Sequence, residues 1–122
     1  MSNKAILLIE DDEAILEGLK ELLRIEDFNV VSASNVKLGL DYLQSCSDLP
    51  RLIILDLMMP VMDGFQFRKA QLANPKIRDI PVLVMSADGR EKTKQEILEV
   101  QEYIKKPIDI DLFVKTIRKY IF

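Results

Sequence analysis

The chain has 122 residues and no histidine, no tryptophan, one cysteine and four glycines. Without histidine there is no imidazole to act as a catalytic base, to bind zinc or to carry a phosphoryl group. The single thiol, Cys46, excludes an internal disulfide and reads as a lone semi-buried side chain. No G-x-x-x-x-G-K-[ST] stretch occurs, so a phosphate cradle of the P-loop type is excluded. The start, MSNKAILLIEDD, offers one lysine and five apolar residues before an acidic cluster, too few for a signal peptide or a membrane span. A cytoplasmic protein with no membrane insertion is the expectation. A formal charge of −3 lacks the basic field that phosphate backbones require, which argues against direct nucleic-acid contact. There is no linker, repeat or low-complexity tract, and the length suits one domain over 1–122.

Five short apolar runs remain: AILLI (5–9), NVVSA (29–33), RLIIL (51–55), PVLVMSA (81–87) and EYIKK (102–106). Continuous hydrophobicity marks strands covered on both faces, as in a parallel sheet. The second and fifth are the more polar and are expected at the edges. Helical stripes separate them. In EAILEGLKELLR they are Ile15, Leu16, Leu19, Leu22 and Leu23, with Asp12 or Glu13 at the positive end of the helix. In SNVKLGLDYLQS they are Val36, Gly39, Leu40 and Leu43, with Ser34 as the expected cap. A third helix is expected over 63–72, around Phe65 and Phe67. A fourth, over 89–100, carries only Ile97, Leu98 and Val100 and is expected to be the most exposed. The last presents Ile110, Phe113, Val114, Ile117 and Ile121 on one side. This alternation predicts a three-layer α/β/α sandwich with right-handed crossovers around a five-stranded parallel sheet. Such folds place their chemistry at the C-terminal edge of the sheet.

Polar residues gather where the strands are expected to end. Glu10, Asp11 and Asp12 follow the first run, and Asp56 follows LIIL. A carboxylate beside four aliphatic residues must be solvated, paired or put to use. If the first and third strands are neighbours, Glu10 or Asp11 converges with Asp56. Close carboxylates repel unless a cation intervenes, and an oxygen-only cluster suits a hard divalent ion such as Mg2+. Asp12 has a simpler reading, the start of the first helix. Ser86 closes the fourth run and Lys106 the fifth. A hydroxyl, an ammonium, a metal and an aspartate together suit a tetrahedral anion. Asp56 is therefore a candidate nucleophile toward phosphorus, forming an aspartyl phosphate with the phosphoryl donor supplied by another molecule.

With an acidic pair after the first strand, LDLMMPVMDG, a hydroxyl at the fourth strand end and KP after the fifth, the chain resembles the receiver domain of two-component response regulators over its whole length. That resemblance implies a flavodoxin-like sheet of order 2-1-3-4-5. It implies that Glu10 and Asp11 form the acidic metal pair, with Asp56 as phosphoacceptor and metal ligand. The backbone carbonyl of Met58 would be a further Mg2+ ligand. Ser86 and Tyr103 match the switch hydroxyl and switch aromatic, Lys106 the lysine that contacts the phosphoryl group, and Pro107 follows a bond the family usually holds in cis. Asp63 and Gly64 match the turn into the third helix, whereas Glu99 stands where glycine is common. The implied function is a switch phosphorylated on Asp56 by a histidine kinase or a histidine-containing phosphotransfer protein. Its output would pass to a downstream protein, or to a second copy, through the face of the helix at 89–100, the fifth strand and the last helix. The alternatives are a non-phosphorylated interaction module with the same fold and a small aspartate-based phosphatase.

Overall fold

The computed structural model describes residues 5–56, 64–86, 101–105 and 107–121. Five strands form one parallel sheet: β1 (Ala5–Ile9), β2 (Asn29–Ala33), β3 (Leu52–Asp56), β4 (Val82–Ser86) and β5 (Glu102–Lys105). Their order is β2-β1-β3-β4-β5, so the expected topology holds, with the two more polar runs at the edges. The first two strands match the predicted runs residue for residue. The third starts one residue after its apolar run and ends on Asp56, as expected for an acid at the strand end.

The sheet is buried on both sides along its three inner strands, which are apolar up to their last residues. Leu7, Ile9, Ile53, Leu55, Val82 and Val84 face one layer, built with α2 (Val36–Ser45) and α3 (Gly64–Leu72). Ile6, Leu8, Leu52, Ile54, Leu83 and Met85 face the other, built with α1 (Glu13–Ile25) and the last helix (Ile110–Ile121). Alternating side chains along each strand divide between the two layers, as the pleat requires. Each fully buried aliphatic side chain contributes about 1.5–3 kcal/mol relative to exposure, before the cost of ordering it.

Local chemistry fixes the helix starts. The Asp12 side chain accepts a hydrogen bond from the Ile15 amide at 3.1 Å, which makes it the N-cap of α1. For α2 the cap is Asn35, not the expected Ser34. The Asn35 carbonyl takes the first helical bond, from Gly39 N at 3.1 Å, and its side chain accepts from Leu38 N at 2.8 Å. Gly39 allows a close approach between layers, since a Cβ there would stand 2.6 Å from Ile9 Cδ1.

Two predicted stripe members lie outside the core. Ile15 is 40% exposed because it falls off the centre of the Leu16, Leu19 and Leu23 stripe. Ile110 is 56% exposed in the first turn of its helix, at the sheet's C-terminal edge. Val114 is half-buried, and Thr116 takes an inner position instead, its hydroxyl donating to the Leu112 carbonyl at 2.8 Å. The helix expected over 89–100 lies outside the described residues.

Candidate functional site at the C-terminal edge of the sheet

Register brings the predicted acidic residues together. Ile9 pairs with Leu55 across β1 and β3, so Glu10 and Asp11 leave one strand beside the point where Asp56 closes its neighbour. Asp56 in turn pairs with Met85, and Ser86, the last residue of β4, pairs with Lys105 of β5. The backbone thus sets Glu10, Asp56, Ser86 and the end of β5 in a row along one edge. Met58, Asp63, Lys106 and the Lys106–Pro107 bond lie outside the described residues.

The acidic residues differ in environment. Glu10 is 1% exposed, whereas Asp11 and Asp12 are exposed. The Glu10 amide donates to the Ala33 carbonyl at 3.1 Å, which carries the β1–β2 ladder one residue past the strand. The Glu10 carboxylate Oε2 accepts from the Asp12 amide at 3.2 Å. A carboxylate held inside a protein requires donors or a cation to offset its charge. A buried glutamate and an adjacent exposed aspartate are hard oxygen donors of the kind a divalent ion such as Mg2+ takes in an open, partly hydrated site. Among the described residues, no three acidic, histidine or cysteine side chains are close enough to form a complete metal site. The donor chemistry of Glu10 and Asp11 fits such an ion.

Tyr103 pairs with Val84 and packs half-buried against the α2/α3 layer, its hydroxyl oxygen inside the protein. Its neighbour Glu102 serves the other layer. Glu102 Oε1 accepts from Lys119 Nζ at 2.6 Å and from the Tyr120 hydroxyl at 3.0 Å. Burial, then the hydrogen bond and charge of Glu102, raise the Tyr120 phenol above its usual 10.0. Sequence reasoning missed this cluster, as it missed the buried Gln71 and Arg68 of α3. Gln71 Nε2 donates to the carbonyls of Ile77 at 3.0 Å and Ile80 at 2.9 Å, and its Oε1 accepts from Arg68 at 2.8 Å. Nothing in hydrophobic periodicity marks such residues, since a polar residue on a helix reads as surface.

A parallel 2-1-3-4-5 sheet with acidic residues and a hydroxyl at its C-terminal edge defines a receiver-type signalling domain. The sequence pattern of the response regulator receiver domain matches residues 6–118, and the chain belongs to that family. It is 38% identical over 119 residues to response regulator RR06 of Streptococcus pneumoniae, covering 95% of this chain and 52% of that protein. It is 26% identical to the polar-differentiation response regulator DivK of Brucella anthropi, covering 97% and 96%. Among solved structures, the chemotaxis protein CheY4 of Vibrio cholerae superposes with a TM-score of 0.86 at 22% identity, covering 98% and 99%. That last likeness is one of fold. The chain thus spans about half the length of RR06 and nearly all of DivK. Among the described residues, no helix is long and apolar enough to cross a membrane.

Proposed function

We propose that the chain is a phosphorylation-controlled switch whose phosphoacceptor is Asp56. The observation that carries this reading is the β1–β3 register. Ile9 pairs with Leu55, so the acidic pair after Ile9 and the aspartate after Leu55 meet at the edge where α/β folds bind ligands. With neither histidine nor a P-loop in the chain, the phosphoryl group comes from another molecule, and membership of the receiver family supports a phosphohistidine on a histidine kinase or a phosphotransfer protein as that donor. An Asp56 carboxylate oxygen attacks phosphorus, the phosphorus–nitrogen bond breaks, and the imidazole leaves with its electron pair and takes up a proton. Glu10, Asp11, Asp56 and the Met58 carbonyl would hold Mg2+. Held there, it would offset negative charge on the phosphoryl oxygens.

The remaining groups act on the phosphoryl oxygens directly. The Lys106 ammonium offers a point charge and the Ser86 hydroxyl a hydrogen bond. Movement of Ser86 toward Asp56 would be felt by Tyr103 on the next strand and by residues 89–100. The face they share with the last helix would then favour a downstream protein or a second copy. Treatment with acetyl phosphate, with and without magnesium, tests the reading. A Mg2+-dependent mass increase of one phosphoryl group is expected, abolished in Asp56→Asn. Undiminished single-site labelling of that variant would reject Asp56 as the acceptor. No labelling at all would favour the non-phosphorylated interaction module, and turnover of an external phosphoester the small phosphatase.

A further inference from the structure

The start of β5 is pinned from two sides by consecutive residues. The β4–β5 ladder begins with Leu83 paired to Glu102, so the preceding amide, Val82 N, has no β5 residue opposite it in that register. The Gln101 side chain fills the place of a strand carbonyl and accepts from Val82 N at 2.8 Å. One residue later, Glu102 Oε1 receives both Lys119 Nζ and the Tyr120 hydroxyl. These donors are adjacent on the last helix and point about 100° apart around its axis. A single oxygen that engages both resists rotation of the helix as well as sliding, since either motion separates at least one donor. The Tyr120 ring packs beside the α1-side core, so its bond to Glu102 joins two partly buried groups, while the Lys119 ammonium adds an exposed ion pair to the same oxygen.

We propose that Gln101 and Glu102 form a double staple that insulates the last helix from the switch. Tyr103 follows Glu102 on the opposite face of the strand. A change that starts at Ser86, and reaches Tyr103 and the segment before Gln101, meets a strand tied to β4 on one side and to the last helix on the other. Glu102 and Tyr103 serve different layers. The Tyr103 ring can therefore change its packing while Glu102 keeps its donors. The change therefore runs through the Tyr103 side of β5, and the last helix contributes to the output face as its unmoving part. This inference rests on the phosphoacceptor reading for its trigger, but the staple itself does not.

The test is amide NMR with beryllofluoride, a non-covalent phosphoryl mimic, in magnesium, together with amide hydrogen exchange in its absence. In the native protein, beryllofluoride should shift Glu10, Asp11 and Ser86 and leave Lys119, Tyr120 and Ile121 unmoved. In Glu102→Gln the shifts should extend into those last-helix residues. Their exchange without ligand should also become about tenfold faster, the scale expected for loss of a charge-assisted hydrogen bond. Tyr120→Phe, which keeps the ring and removes the hydroxyl, should give the same change in smaller degree. Shifts of the last helix as large as those at Ser86 in the native protein would overturn the insulation. Unchanged exchange in both variants would overturn the staple. If beryllofluoride moves nothing around Asp56, the phosphoacceptor reading fails, while the exchange comparison still decides whether the staple holds the helix.

Discussion

The last helix and α3 attach to opposite faces of the same sheet by different means. The last helix buries Phe113, Ile117 and Ile121 with Thr116, an apolar stripe that tolerates small slips because hydrophobic attraction has no direction. On its inner side α3 buries Phe67 alongside Arg68 and Gln71. Gln71 reads the carbonyls of Ile77 and Ile80, so the helix is fixed to the segment that leads into β4 by bonds that fail if it moves. The difference follows from position. The first residue of α3, Gly64, comes eight residues after Asp56 in the chain. The last helix starts far along the chain from Asp56 and gains its place through bulk burial, with the Glu102 bonds as a polar lock.

Substitutions should separate these two kinds of attachment. The largest effect is expected for Phe113→Ala, which opens a cavity at a fully buried site and should cost about 3–5 kcal/mol in urea unfolding. Gln71→Leu comes next. It keeps the volume but strips two buried carbonyls and Arg68 of a partner, so a loss of about 2–3 kcal/mol is expected. If α3 were held by apolar packing alone, this variant would be neutral or more stable, and the contrast drawn here would collapse. The smallest effect is expected at the outer side of the last helix, where Arg118 bonds Glu26 at 2.8 Å and lies 5.7 Å from the Phe28 ring centroid. Both partners are partly solvent-exposed, so Arg118→Ala should cost less than about 1 kcal/mol. That loss should shrink in concentrated salt down to what the Phe28 contact retains. A double-mutant cycle with Glu26→Gln in low and high salt measures the ionic share.

Much of the fold was legible because the inner strands are continuous apolar runs and the edge strands more polar ones, and β1 and β2 were placed without error. Strand order followed from which runs were polar and from the receiver resemblance. Errors fell where a neighbour in space overrides a local pattern. Ser34 and Asn35 are both good caps, and only the backbone decides between them. Ile15 and Ile110 carry the stripe's chemistry in first turns, where no layer covers them. The positions of Glu10 and Asp56 on one edge could be anticipated once β1 and β3 were taken as neighbours. The burial of Glu10 beside an exposed Asp11 could not, since adjacent carboxylates look alike in sequence and differ only in what surrounds them. Gln71, Arg68 and the Glu102 cluster left no periodic trace.

The interior place of β1 has a consequence for how this domain is made. Its ladder partners are β2 and β3, and the β3 partners lie more than forty residues further along the chain. During synthesis, Ile6, Leu7, Leu8 and Ile9 are therefore produced well before the strand that completes their cover. Short, uncharged, strongly β-forming segments of this kind seed intermolecular association when left bare. Three acidic residues follow at once, Glu10, Asp11 and Asp12. Charges at the flank of an unavoidable apolar strand act as gatekeepers against such association. Glu10 and Asp11, proposed here as metal ligands, would thus protect the nascent chain together with the helix cap Asp12 before there is any site for them to serve.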